Sequence, residues 1–427
     1  MCLSLNIMHK SRKTGEREIS FYNLVDFNGM IKEAVILAAG EGSRLRPFTE
    51  DAPKVMLPIA NKPLLEYVVE SLHKNGVNNI VMVVGYKKES IMSYFGEGYA
   101  HGVTIQYIIQ EKQLGTGHAL FQARNLIRGD EFLVLPGDNV IDGESISKLI
   151  KTSSPALIVE ESNIPSKYGV IEMKKNIVKR LVEKPLTAES NIVSTGIYKF
   201  KKNVFEIIEE CIKEGRNNLT DAVQYLLEKE KIYGVKGKGK WRDAVYPWNL
   251  IEMNADALKE INAETSGKIE KNVVVSGNVI IGKDTIIHPG CYIKGPVIIG
   301  EGCEIGPNVC IFPSTSIGNN AVIHPFTEIR NSIIMDGVSI GSNSLILNSV
   351  IGKGTKVSSH FSTMSGNAVI EIENEFHKID RTGAFIGGGC IIGADVVTEA
   401  GIMVGKGCNI GSQKIIGKNV PSMSRVV

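Results

Sequence analysis

Two cations and a glycine-rich turn lie close together near the start of the chain. Leu37-Ala38-Ala39-Gly40-Glu41-Gly42-Ser43-Arg44-Leu45 is followed by Pro53-Lys54. Backbone N–H groups approach phosphate oxygens closely only where Cβ atoms are absent. Arg44 and Lys54 would then sit over the charge that moves during a reaction. The stretch reads as a cradle for a triphosphate. Further on, Asp138 closes the apolar run Phe132-Leu133-Val134-Leu135, and Asp243 follows Trp241-Arg242. Two carboxylates converging with phosphate oxygens suit Mg²⁺, a hard cation that keeps several waters.

These residues need elements to hold them. Ala34-Val35-Ile36-Leu37 is a short buried strand leading into the glycine turn, and Pro63-Leu64-Leu65-Glu66-Tyr67-Val68-Val69 begins a helical pattern after it. Ile80-Val81-Met82-Val83-Val84 is apolar throughout, as a strand covered on both faces of a parallel sheet must be. Gln106-Tyr107-Ile108-Ile109 and Phe132-Leu133-Val134-Leu135 repeat the pattern, with a helix starting near Gly117 between them. This is βαβ spacing, hence an α/β sheet. It puts Asp138 at the carboxyl end of a strand, where open α/β sheets hold their ligands.

Beyond Ser154 strands follow one another without helices: Ala156–Val159, Gly169–Met173, Ile177–Leu181 and Gly196–Phe200. They predict an antiparallel extension. Helices are expected over Val204–Glu214 and Asn218–Lys229. Another strand should end at Trp241–Ala244, and Pro247–Ile261 should form a helix with proline in its first turn. The nucleotide-handling domain is thus expected over residues 30–262.

From Ile269 onward the sequence is periodic. Ile-Gly or Val-Gly pairs recur at Ile281, Ile299, Ile305, Ile317, Ile340, Ile351, Ile386, Ile392, Val404, Ile410 and Ile416, mostly at six-residue intervals or multiples. Hexapeptide repeats specify a β-solenoid whose coils stack on one another. The isoleucines point inward, and small residues such as Cys303, Ala321 and Cys408 fit the corners. The solenoid should occupy residues 263–427. Its rhythm breaks at about residues 358–382, where Glu371-Ile372-Glu373-Asn374-Glu375-Phe376-His377-Lys378 predicts a charged loop leaving the coil.

Composition bounds the partners. The 427 residues exceed one ordinary core, and the formal net charge of +2 argues against an obligatory nucleic-acid or membrane partner. Seven cysteines without C-x-x-C spacing suggest neither a zinc site nor a disulfide framework, and point to a reducing cytoplasm. No apolar run approaches the ~18 residues of a membrane span. Residues 1–29 are polar, with the basic run His9-Lys10-Ser11-Arg12-Lys13 and no apolar segment after it, so a disordered extension is expected rather than a secretory signal.

Four ordered motifs carry a family resemblance. The Leu37–Leu45 and Pro53-Lys54 motifs, Leu114-Gly115-Thr116-Gly117-His118-Ala119, Pro136-Gly137-Asp138 and Val182-Glu183-Lys184-Pro185 resemble those of the sugar-1-phosphate nucleotidylyltransferases. With the solenoid, the layout resembles archaeal and bacterial bifunctional N-acetylglucosamine-1-phosphate uridylyltransferase/glucosamine-1-phosphate acetyltransferases and long-form glucose-1-phosphate thymidylyltransferases. The resemblance implies a Rossmann-like nucleotidyltransferase domain followed by a left-handed parallel β-helix. It implies UTP or dTTP as donor, glucose-1-phosphate or N-acetylglucosamine-1-phosphate as acceptor, and Mg²⁺ as cofactor. It also implies a homo-oligomer, a trimer in many relatives, joined through the β-helix.

Residue by residue, Arg44 would hold the β- and γ-phosphates and Lys54 the α-phosphate. Leu37, Ala38, Ala39, Gly40 and Gly42 would line the nucleotide. Gln110, Gly115 and Thr116 match the segment that reads the pyrimidine. Gly169, Glu183, Ser194 and Thr195 match the sugar side, although many relatives carry Asn where Ser194 stands. Asp138 and Asp243 would hold the metal. The acetyltransferase motif is missing: Asn343-Ser344-Leu345-Ile346-Leu347-Asn348 has no histidine where relatives place a general base. His360 and His377, in or near the expected loop, are the histidines left for acetyl transfer from acetyl-CoA. Three readings follow: a nucleotidylyltransferase with a structural solenoid, a bifunctional enzyme, or a non-catalytic regulatory subunit of the same architecture. The intact Arg44, Lys54 and Asp138 argue against the third.

Overall fold

The structure is a computed structural model that describes residues 31–239 and 241–427. The expectation for residues 1–29 lies outside them. Among the described residues, nine strands form one sheet in the order β5-β4-β1-β6-β11-β8-β12-β10-β9. The strands are β1 (Glu33–Ala38), β4 (Asn79–Val84), β5 (Thr104–Ile109), β6 (Glu131–Pro136), β8 (Ala156–Glu161), β9 (Gly169–Lys174), β10 (Ile177–Glu183), β11 (Ile192–Lys201) and β12 (Tyr233–Lys236). Two short ribbons sit apart from it: β2 (Pro58–Ile59) with β3 (Lys62–Pro63), and β7 (Asn139–Val140) with β13 (Arg242–Asp243).

β5, β4, β1 and β6 run parallel. The inner strands β1, β4 and β6 are almost wholly buried, because helices cover both faces, whereas the edge strand β5 buries only Ile105. The antiparallel part is continuous with them: β11 pairs with β6 on one side and β8 on the other. The seven α-helices of the described residues are α1 (Leu64–Lys74), α2 (Lys88–Phe95), α3 (Thr116–Gln122), α4 (Gly143–Lys151), α5 (Val204–Lys213), α6 (Leu219–Lys229) and α7 (Pro247–Leu258). None is long and apolar enough to cross a membrane. The strand expected to end at Trp241–Ala244 is the two-residue β13, which pairs with β7 in a ribbon apart from the main sheet, and β12 precedes it within the main sheet.

From Glu264 the chain winds into three parallel sheets of eight, nine and eight strands, consistent with a left-handed β-helix. Ile281, Ile299, Ile317, Ile334, Ile351, Ile386 and Val404 stack in one ladder. All are 0–1% exposed, so each coil supplies one layer of a shared core. Corners turn through left-handed residues: Asn308, Phe326, Asn343 and His360 have φ of 56°, 63°, 58° and 64°. Asn adopts this region most readily of the four.

The break in the repeat is a hairpin, not a loop. The coil runs on through Ser362–Thr363, and strands Gly366–Ile372 and Glu375–Thr382 then pair antiparallel. Outside the inward-facing ladder, alternation had room to specify two strands. The β-helix and the nucleotide-handling half share one core, in which Ile333, Met335, Val350, Ile370 and Phe385 pack with Leu45, Phe48, Leu57, Trp248 and Leu250. Asn254 fastens the joint: its Oδ1 accepts from Ala60 N at 2.7 Å, and its Nδ2 donates to Ser314 O at 3.1 Å.

Candidate active site

The glycine turn begins where β1 ends. Gly42 has φ of 74°, and a Cβ there would lie 2.7 Å from Lys54 Cβ. Only glycine meets both conditions. A Cβ on Gly40 would meet nothing within 4 Å, so the backbone there borders open space. Ser43–Leu45 then makes a 3₁₀ turn that presents Arg44, and Lys54–Met56 makes another after Pro53.

Asp138 follows β6 across Gly137, whose N–H donates to Leu37 O at 2.9 Å. The β7–β13 ribbon sets Asp243 opposite Asn139, which carries it to the side of Asp138. Lys54 Nζ pairs with Asp138 and lies 3.3 Å from Asp243 Oδ1. The three side chains are only 17–21% exposed. Burial acts to lower the Lys54 pKa, but the two carboxylates outweigh it and hold the ammonium charged. Burial pushes the Asp243 carboxyl up, Asp138 adds to this, and Lys54 offsets part of it.

The same carboxylates fit the Mg²⁺ that the motifs imply. No cluster of three metal-ligating side chains occurs among the described residues. A pair of carboxylates completed by phosphate oxygens and water is the donor set Mg²⁺ takes beside a phosphate substrate.

The cavity around this cluster measures about 640 Å³. It gathers Leu37, Ala38, Ala39, Gly40, Gly42, Arg44, Lys54, Gln110, Gly115, Thr116, Asp138, Gly169, Glu183, Ser194, Thr195 and Asp243. On one wall Gln110, 4% exposed, donates from Nε2 to Gly115 O at 3.2 Å. Thr116 Oγ1 accepts from Leu219 N at 2.9 Å and ties the start of α3 to α6. On the opposite wall Thr195 Oγ1 donates to Ile158 O at 3.0 Å. Ser194 Oγ lies 3.1 Å from the Tyr198 hydroxyl. Burial raises the Glu183 carboxyl, with Lys184 and Thr220 offsetting part of the rise.

His360 and His377 lie outside this cavity. His360 is an exposed corner residue, equivalent by its φ and its bond from N–H to Ser342 O to the corner residue Asn343 one coil earlier. His377 packs against Tyr246 and Trp248, with ring centroids 4.4 and 5.4 Å away. Its Nε2 is buried without a hydrogen-bond partner, and burial holds the ring below its ordinary pKa.

Other lining residues escape sequence reasoning. Asn139 is buried and donates from Nδ2 to Thr195 O at 2.7 Å, bracing β11 against the ribbon. Tyr168 and Trp241 meet edge to face at 5.0 Å. Lys184 holds φ of 42°, a strained setting for a non-glycine residue, and its charge acts on Asp243. Glu373 arrives from the β-helix hairpin. Lys184 lies inside the Val182–Pro185 motif, which is its signal; the others have none beyond residue type, since each reaches the cavity through pairing that the sequence does not state.

A half-parallel sheet with a basic glycine turn, a carboxylate at one strand end and a second brought beside it by a short ribbon defines a nucleotide-binding α/β protein joined to a β-helix. Residues 33–260 match the nucleotidyl transferase family, and the chain belongs to that family. Residues 293–375 match the GMPPB C-terminal domain. The chain is 44% identical over 262 residues to the bifunctional protein GlmU of Methanococcus maripaludis, covering 60% of this chain and 62% of that protein. It is 33% identical over 267 residues to a bifunctional sugar-1-phosphate nucleotidylyltransferase/acetyltransferase of Sulfurisphaera tokodaii, covering 61% and 64%. The matches thus span under two thirds of those curated relatives. A Bacillus anthracis structure, named as a glucose-1-phosphate thymidylyltransferase, superposes with a TM-score of 0.50 at 26% identity, over 54% of this chain and 97% of the other.

Proposed function

We propose that the protein is a sugar-1-phosphate nucleotidylyltransferase. It would transfer the nucleotidyl group of UTP or dTTP to glucose-1-phosphate or N-acetylglucosamine-1-phosphate. The observation that carries this reading is Lys54 bridging Asp138 and Asp243 in the cavity that Arg44 also lines. A phosphate oxygen of the sugar phosphate attacks the α-phosphorus, the bond from that phosphorus to the bridging oxygen breaks, and pyrophosphate leaves. Two polyanions must meet, so the protein's work is neutralisation and in-line positioning. Arg44 takes the outer phosphates and Lys54 the α-phosphate. Gln110 offers the base an amide donor and acceptor, and Glu183, Thr195 and Gly169 face the sugar. Asp138 and Asp243 would hold Mg²⁺, which supplies charge neutralisation on the phosphates.

Acetyl transfer is the second reading, favoured by the bifunctional names of the relatives. The residues weigh against it, since His360 turns a corner and His377 is packed under aromatic rings. We assign the β-helix a structural and oligomerising role. The test is pyrophosphate release with UTP and dTTP, each offered with either sugar phosphate. Release with at least one pair is expected, and none with any pair would refute the proposal. Adding acetyl-CoA and glucosamine-1-phosphate should liberate no free thiol.

A further inference from the structure

The hairpin of the β-helix ends in the catalytic cavity. Its turn, Glu373-Asn374, is left-handed at both residues, with φ of 53° and 64°. That is the two-residue connection whose twist matches an antiparallel ribbon. The hairpin is therefore a short, stiff projection. It is held two pairs back from the turn, where Ile370 stands opposite His377: Ile370 is 3% exposed within the core shared by the two halves, and His377 packs on Tyr246. Nearer the tip Glu375 forms an ion pair with Lys167, another cavity-lining residue.

At the tip, Arg44 Nε donates to Glu373 Oε2 at 2.7 Å and Ser43 Oγ donates to Oε1 at 3.0 Å. A carboxylate with two oxygens thus engages a guanidinium and a hydroxyl of the glycine turn. Phosphate oxygens accept from the same guanidinium and hydroxyl donors. The Arg44 and Glu373 side chains are 38% and 48% exposed, so the contact opens by side-chain rotation while Ile370 and His377 stay packed.

We propose that Glu373 is an intramolecular competitor for the polyphosphate, holding Arg44 and Ser43 until the outer phosphates of a nucleoside triphosphate displace it. The inference rests on Arg44 being the outer-phosphate ligand of the proposed reaction. The carboxylate re-takes Arg44 as pyrophosphate departs, so it weakens binding of donor and product alike. A chain segment some 330 positions away in sequence thereby sets the nucleotide affinity of the site.

The experiment uses the full chain, wild type and Glu373→Gln, titrated calorimetrically with magnesium pyrophosphate. A partly exposed ion pair is worth up to about 1 kcal/mol, which reduces the fraction of sites free to bind. Glu373→Gln should therefore bind pyrophosphate about three- to fivefold more tightly. In turnover its KM for nucleotide should fall by a similar factor, with the sugar-phosphate KM unchanged and kcat not lowered. Glu375→Gln, which frees the tip from Lys167, should shift the same way by a smaller factor. Equal pyrophosphate affinity in wild type and Glu373→Gln overturns the proposal. A fall in kcat at unchanged KM overturns it as well, because Glu373 would then position Arg44 for catalysis. If wild type releases no pyrophosphate from any substrate pair, yet Glu373→Gln still tightens pyrophosphate binding, the competitor stands and the proposed reaction fails. Binding by neither protein overturns the competitor, while the release assay alone decides the reaction.

Discussion

Replacing Lys54 by methionine tests the centre of the site without using turnover. Methionine keeps the length and apolar stem of lysine and removes its charge. Lys54 pairs with Asp138 and stands 3.3 Å from Asp243, all three side chains being largely buried. Losing one member of a buried charge cluster costs about 3–5 kcal/mol. Residual exposure of 17–21% trims this to about 3 kcal/mol at pH 8. The cost must depend on pH. Burial already raises the Asp243 carboxyl, and Lys54 is what restrains it. Without Lys54 the carboxyl rises further, so the folded variant holds a proton that the unfolded chain releases above about pH 4. Stability falls with pH wherever the native state binds more protons. The deficit against wild type should therefore shrink to about 1 kcal/mol at pH 5. Wild-type Lys54, with its pKa raised, keeps its own contribution until pH climbs beyond the ordinary lysine range. Mg²⁺ should also raise the melting temperature of the variant more than that of wild type, because it can occupy the point between two uncompensated carboxylates. Thermal unfolding followed by tryptophan fluorescence at pH 5 and 8, with and without Mg²⁺, measures all of this. A deficit independent of both pH and Mg²⁺ would show that Asp138 and Asp243 do not share one focus.

Other expectations follow from packing and hydrogen bonding. Phe385→Ala empties a fully buried position in the core shared by the two halves and should cost about 3–5 kcal/mol in urea unfolding. A loss under 1 kcal/mol would contradict that core. Gln110→Ala removes a buried amide that bonds Gly115 and should raise the nucleotide KM about tenfold, leaving the sugar-phosphate KM alone. Burial depresses the His377 pKa, so stability should fall as pH drops below the ordinary histidine range, where the unfolded chain takes up the proton first. His377→Phe should flatten that acid limb in a pH series of unfolding curves, and an unaltered limb would show the ring plays no part in it.

Local sequence carried much of this molecule because its main signals are short-range. The all-apolar Ile80–Val84 run marks a strand buried on both faces, and Gly42 beside Lys54 marks a turn that no other residue could make. The hexapeptide spacing of Ile281 to Ile416 states the stacking of the coils, since each residue must fill the layer above its predecessor. Alternation also hid a strand pair within the charged stretch at Glu371–Lys378, where charges outweighed the period-two pattern.

What the tertiary structure decided is who meets whom. Asp243 reaches Asp138 through a two-residue ribbon with Asn139, too short to leave a periodic trace. His377 is a packed aromatic neighbour, a matter of the partners Tyr246 and Trp248 brought from another element. Glu373 meets Arg44 across 329 positions of sequence. The sequence by itself determined a nucleotide-handling α/β half, a β-solenoid and the residue types for phosphate chemistry, because propensity, burial periodicity and turn sterics act between near neighbours. The pairing of Lys54 with both carboxylates and the hairpin's hold on Arg44 needed the fold, because charge and packing act through space.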